Sequence, residues 1–422
     1  SHFRANPSHF RLGTGTNQPG VQAETNRING SERIIERVSA AYVQFEGKLL
    51  DNRLQYVTGV RFEKTENKGE GVLANPDAVW ERNANGTYRI VNGARVRRAD
   101  AGTPGSLQEL ALIRQERAYR AQREYDDFYP SLHLSYNITD NLIARFAYAK
   151  TLGRPDYADI IPNADIDEDD NDPTQPGSIS IRNTGLRPWT ADNFDVSLEY
   201  YFGRGGLVSI GGFQKNLKDF WGVVNGPLTP QLAQDIGLDE RYLNWRVTSR
   251  INAGDAQISG AEFNFVRQLN FGFMPEWARA FSITSNGTML HLEGANGADF
   301  RRFISKTGNF SLSWNKRPIS ARVTWNYRGK QRTQAITGGQ YDAAGTPAGS
   351  GGFFEYYDSR YNIDANVEYT LSRRFKFFAN ARNILNAPQV LERYSQASAR
   401  YASGYRHEEF GIQMSLGVKG TF

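Results

Sequence analysis

The residues best placed to do chemistry lie in "NADIDEDDNDP", residues 163 to 173. Asp165, Asp167, Asp169 and Asn171 recur at every second position, the spacing of oxygen ligands in a calcium loop. Such a loop also needs a glycine at its sixth place for the sharp turn, and Asp170 or Asp172 stands there instead. The stretch therefore reads first as a hydrated acidic loop and second as a divalent-cation site. Trp80, Trp221 and Trp245 fall in or beside long polar segments. There an indole can stack on a sugar ring, grip an apolar ligand or pack against the chain's own rim. Catalytic signatures are missing: the sequence has no Gly-x-Ser-x-Gly, no His-Glu-x-x-His, no Walker A loop and no dinucleotide fingerprint. With no cysteine, thiol nucleophiles, disulfides and thiolate metal sites are excluded. The histidines (His2, His9, His133, His291, His407) are scattered and make no acid–base or metal pattern. Nothing points to an enzyme, and no cofactor is implied.

The elements that must carry these residues show a strict period of two. Phe194, Val196, Leu198, Tyr200 and Phe202 alternate with Asp195, Ser197, Glu199 and Tyr201. Ile363, Ala365, Val367, Tyr369 and Leu371 form another such set, as do Leu132, Leu134, Tyr136 and Ile138. The last stretch, "EEFGIQMSLGVKGTF", alternates in the same way up to Phe422. A period of two means strands with one oily and one wet face, and about thirteen are expected. The composition agrees, with 25 Phe, 21 Tyr, 7 Trp and 41 Gly against 3 Met in 422 residues. Mean hydropathy is −0.59, and no apolar run reaches the roughly 18 residues of a spanning helix. The net charge of +5 is spread among opposite charges, which leaves no nucleic-acid groove. The first residues carry no charged-then-apolar signal-peptide pattern.

Short turns at Asp51-Asn52, Asp140-Asn141, 204–206, 316–318 and Ser372-Arg373 alternate with long polar segments at 67–127, 152–190, 222–253, 331–357 and 387–405. That segregation is the layout of an all-β transmembrane antiparallel β-barrel with short periplasmic turns and long extracellular loops. Tyr136, Phe202, Trp314, Tyr369, Phe375 and Phe422 lie on the apolar face near short turns or the chain end, as an aromatic girdle would. Arg145, Glu199, Arg322, Asp364 and Glu368 lie on the opposite face and are expected to line a wet lumen as a salt-bridged wall. Within 67–127, "SLQELALIRQERAYRAQRE" has helical propensity and a partial stripe through Leu107, Leu110 and Ile113. The first clear strand, 36 to 46, runs in the same sense as the last, so the strand number is odd. Closed bacterial barrels have an even number, and the chain is expected to be the C-terminal part of a larger barrel.

Six stretches, in order, resemble the C-terminal half of TonB-dependent receptors, the energised importers of the Gram-negative outer membrane. They are "RFAYAKTLGRPDYADIIP" (145–162), "NTGLRPWTADNFDVSLEYYF" (183–202), "SIGGFQKNLKDF" (209–220), "ISGAE" (258–262), "NARNILN" (380–386) and the terminal "LGVKGTF". The likeness covers residues 36 to 422 and is nearest to the large receptors of the Caulobacter and Xanthomonas kind. It implies a barrel of about 22 strands with a plugged lumen. Residues 1–422 would be the C-terminal part of that barrel, without the N-terminal plug, TonB box and first strands. It also implies uptake of a bulky nutrient, carbohydrate or another organic ligand before iron–siderophore, with a passive porin-type channel as the alternative. The implied partners are the TonB–ExbB–ExbD complex, the β-barrel assembly machinery (with Phe422 as its C-terminal signal), and outer-membrane lipid. Lipopolysaccharide is a further one, its phosphates reachable from the acidic loop through divalent cations.

Overall fold

The computed structural model describes residues 19–167, 177–203, 205–236, 238, 242–294, 302–335, 354–394 and 399–421. Thirteen long strands succeed one another: β1 (Arg33–Leu49), β2 (Leu54–Ala74), β3 (Arg114–Thr139), β4 (Leu142–Gly153), β5 (Trp189–Phe202), β6 (Gly206–Pro227), β7 (Arg246–Gln268), β8 (Phe281–Gly294), β9 (Lys306–Lys316), β10 (Ile319–Arg328), β11 (Arg360–Thr370), β12 (Phe375–Arg382) and β13 (Gln413–Gly420). Each pairs antiparallel with the next. Among the described residues β1 pairs only with β2 and β13 only with β12, so the sheet has two free edges.

The alternation in the sequence becomes an inside-out distribution of side chains. Val196, Leu198 and Tyr200 of β5 are exposed, as are Met414, Leu416 and Val418 of β13, with Leu416 at 82%. The intervening positions are polar and face the other way. Large apolar groups left bare on one whole face of a sheet are stable against lipid and not against water. The turn side carries aromatics as expected: Tyr136, Tyr369 and Phe375 are exposed there. Phe202 lies beneath the Arg267 guanidinium at 4.7 Å, and the Trp314 indole donates to the Trp277 carbonyl at 2.8 Å. Phe422 lies outside the described residues. The β7–β8 connection, 269–280, is longer than its neighbours and adds Trp277 to this rim, 6.2 Å from Phe281.

Two sequence expectations are corrected. Residues 67–127 are not one loop, because β2 continues to Ala74 and β3 starts at Arg114. A strand of 26 residues is about 85 Å long, far beyond an apolar band of about 25 Å. Its upper part has no hydrophobic period to read. Cross-strand ion pairs mark it instead, among them Lys64 with Glu124 at 2.5 Å and Arg120 with Glu70 at 3.7 Å. For the same reason the helix is short. It covers Leu107–Ile113, is capped by the Ser106 hydroxyl accepting from the Glu109 amide, and gives way to β3 at Arg114. Leu110 and Ile113 pack with Ile28 and Val72, while Leu107 is exposed.

The segment between β4 and β5 folds inward as a strap. Its two short strands, Ala164–Asp167 and Ser178–Ile181, pair antiparallel with each other. The first also pairs parallel with β2 at Leu73 and Ala74, and the second parallel with β7 at Arg246–Thr248. The strap thus joins walls that are far apart in the meander, and pairings from β2 round to β7 form a closed circuit. Ala164, Ile166, Ile179 and Ile181 bury against Leu228, Tyr242 and Val247, so this strap, above the wall, holds a hydrophobic core. Gly71 is required where the strap crosses β2, since a Cβ there would overlap the Pro162 carbonyl. A second small sheet in the loops comprises Gln331–Ala335, Phe354–Tyr357, Gln389–Tyr394 and Gly404–Glu408.

Candidate functional site: the inner wall and its loops

Strand parity assigns Arg145, Glu199, Arg322, Asp364 and Glu368 to the face opposite the exposed apolar set. They fall into two panels. On β4 and β5 the Arg145 guanidinium donates to Glu199 at 3.0 Å and to the Ser135 hydroxyl at 2.9 Å. On β10 and β11 Arg322 donates to the Ser313 hydroxyl at 2.9 Å, and Asp364 accepts from Asn326 at 3.3 Å and from the Asn383 amide at 2.9 Å. Glu368 lies between the Lys376 and Lys419 ammoniums at 2.6 and 3.0 Å.

The three tryptophans are not brought together. Trp80, half-buried, ends a short turn in the β2–β3 loop and bridges to Arg97. Trp221 lies on β6, its indole donating to the Arg187 carbonyl at 2.8 Å beside Phe220. Trp245 packs edge-on against Tyr242 at 5.0 Å, on the strap core. Asp165 and Asp167 are exposed on the first strap strand, pointing away from buried Ile166. Asp169 and Asn171 lie outside the described residues, and no metal-ligand cluster occurs among the described ones.

One feature of the wall escapes sequence reasoning. Asn264 (β7), Asn286 (β8), Asn309 (β9), Asn326 (β10) and Asn362 (β11) stand directly opposite one another in an unbroken cross-strand row. Directly opposed side chains on neighbouring strands are about 5 Å apart, and Asn309 donates to Asn286 at 2.9 Å. Asn264 is near the turn end of β7 and Asn362 near the loop end of β11, so the row climbs the wall. An amide offers both donors and acceptors without charge, so the row can exchange hydrogen bonds with neutral hydroxyl or amide groups. Its only signal in sequence is that each of five successive strands has at least one asparagine on its polar face, and β9 and β11 have a second, Asn315 and Asn366, outside the row. Above the row, the second loop sheet is aromatic and sets cations over its rings. Tyr356 stacks on Tyr394 at 4.3 Å, the Lys330 ammonium lies 5.0 Å over Tyr394, and Arg332 lies 4.6 Å over Phe354. Burial, with Tyr394 second, pushes the Tyr356 phenol up. Burial works most strongly against the charge on Lys330, but the hydrogen bonds and charges of Glu392 and Tyr394 together outweigh it and hold the ammonium above its usual range.

An inside-out meander with one apolar and one polar face is the wall of an outer-membrane β-barrel. Residues 1–384 match the family described as TonB dependent receptor-like, beta-barrel. The chain belongs to that family, whose members are outer-membrane receptors. No curated protein matches. Solved structures with the same fold include the ferric enterobactin receptor PfeA of Pseudomonas aeruginosa, 14% identical, with a TM-score of 0.52 over 93% of this chain and 55% of that one. The ferric-catecholate import receptor Fiu of E. coli K12 is 13% identical, with a TM-score of 0.56 over 93% and 45%. The copper transporter OprC is 12% identical, with a TM-score of 0.54 over 92% and 48%. The chain spans about half the length of these solved relatives. All three are receptors or transporters by name.

Proposed function

We propose that this chain is the C-terminal barrel part of a receptor that imports a bulky, hydroxyl-rich organic nutrient, carbohydrate before iron–siderophore. The asparagine row carries this reading. Neutral amides repeated once per strand match the hydroxyls of successive sugar rings better than they match a compact charged complex. The loop tryptophans Trp80, Trp221 and Trp245 are proposed as further contacts for sugar faces, and the acidic strap tip as a bridge through divalent cations to lipopolysaccharide. The free edges of β1 and β13 support a barrel completed by further strands, with the plug and the TonB box on that same portion of the receptor. TonB, driven through ExbB and ExbD, supplies the energy, and the β-barrel assembly machinery inserts the barrel through its final strand and Phe422.

The test is uptake of labelled oligosaccharides by a deletion strain carrying the full receptor, with and without a proton uncoupler. Uptake is expected to stop with the uncoupler and to fall at least tenfold in the Asn286→Ala/Asn309→Ala variant. Uptake that persists with the uncoupler would mark a passive channel.

A further inference from the structure

One step beyond Asn326 and Asn362 on the inner wall, Arg328 of β10 and Arg360 of β11 stand directly opposite each other. Like charges at directly opposed positions repel, and a sheet does not place them there without compensation. Among the described residues no carboxylate supplies that compensation. Arg328 donates to the Asp358 carbonyl at 3.3 Å and lies over the Tyr357 ring at 5.3 Å, and Arg360 donates to the Ala387 carbonyl at 2.9 Å. The Nε of each guanidinium is buried without a partner, and so is the Asn362 Oδ1. The carboxylates nearby are engaged elsewhere. Asp358 and Glu392 lie 3.8 and 2.6 Å from Lys330, and Asp364 takes Asn326 and the Asn383 amide. Among the described residues, none pairs with Arg328 or Arg360. Two guanidiniums at directly opposed positions, with no carboxylate paired to either among the described residues, match a carboxylate held between them.

We propose that Arg328 and Arg360 are the carboxylate seat of the ligand path, and that the ligand is an acidic saccharide. This rests on the sugar-import reading above and narrows it. The carboxylate of one ring sits on the arginine pair, and the hydroxyls of the following rings run down the asparagine row. The neighbouring row fits the same occupant, since Arg328 continues across β9 and β8 to Thr307 and Thr288, both hydroxyl-bearing.

The experiment uses the full receptor in detergent, titrated calorimetrically with tetragalacturonate and with its methyl ester, which keeps the shape and removes the charge. The parent is expected to bind the acid at least tenfold more tightly than the ester. Arg328→Gln/Arg360→Gln is expected to bring the acid down to the ester's level and leave the ester unchanged, and Arg328→Lys to keep part of the preference. Removing two repelling charges is expected to leave the apparent Tm no lower than the parent's. A lower Tm with equal loss for both probes would mark a structural pair and overturn the proposal. So would equal binding of acid and ester, no binding of either, or displacement of the acid by millimolar inorganic phosphate as readily as by galacturonate. If uncoupler-sensitive uptake of neutral oligosaccharide survives while the acid preference is absent, only the arginine assignment fails. If uptake ignores the uncoupler, the importer reading fails.

Discussion

At the scale of single residues, the polar groups of the inner face differ by enclosure more than by charge. Glu63 of β2 is buried beneath the strap and accepts from Arg61 at 2.7 Å and from Arg154. Its side chain is 8% exposed, whereas Glu199, the carboxylate of the Arg145–Glu199 pair, is 19% exposed. An enclosed ion pair broken on one side leaves a charge without solvent, a loss of about 3–5 kcal/mol. An open pair loses under about 1 kcal/mol. Arg61→Gln/Arg154→Gln, which strands the enclosed Glu63 carboxylate, is therefore expected to lower stability by about 3 kcal/mol, and Arg145→Gln by less than about 1 kcal/mol. Urea unfolding of the receptor in lipid vesicles measures both, and equal losses would sink the distinction. Glu199 and Arg145 were legible as wall residues because each sits in an alternating strand. Glu63 was not, because its enclosure comes from Arg154 and the strap, which the sequence places some ninety residues away.

At the scale of elements, parity decides the environment. Val196 and Ser197 are neighbours on β5, yet Val196 is 55% exposed among outward apolar groups while Ser197 faces the wall opposite Arg145. An arginine on the lipid face costs about 2–4 kcal/mol near the bilayer midplane, and one in a wet lumen costs little. Val196→Arg is expected to destabilise the vesicle-embedded barrel by that amount, and Ser197→Arg by less than about 1 kcal/mol. Comparable effects would mean that the faces have been assigned the wrong way round. Such strands could be read directly, since lipid demands apolar residues at every second place. The upper halves of β2 and β3 could not, because above the membrane a strand needs only a partner. Their partners are ionic, such as Lys64 with Glu124. The helix at Leu107–Ile113 was visible in its stripe and its end was not, since pairing of Leu73 and Ala74 with β3 overrides helical propensity from Arg114 onward.

At the scale of the whole molecule, the thirteen-stranded sheet is tied by the strap from β2 to β7 and, among the described residues, is open at its margins. Among the described residues β1 and β13 each present one row of backbone groups without a strand partner, while β6 is paired on both sides. Unpaired amides exchange with solvent by local opening, and paired central ones only by opening on a far larger scale. Hydrogen exchange of this chain by itself is expected to be at least a hundredfold faster in β1 and β13 than in β6, and the full receptor is expected to protect both edges. Equal protection in the chain alone would mean that the edges meet each other. Alternation, turn spacing and the placement of aromatics were enough to determine an all-β membrane barrel with about thirteen strands, because lipid imposes its demand residue by residue along each strand. Only the tertiary structure decided that five asparagines share one row, that Arg328 faces Arg360, and that the strap joins β2 to β7. Those depend on register between strands and on pairings across the wall, and a period of two within one strand carries no information about either.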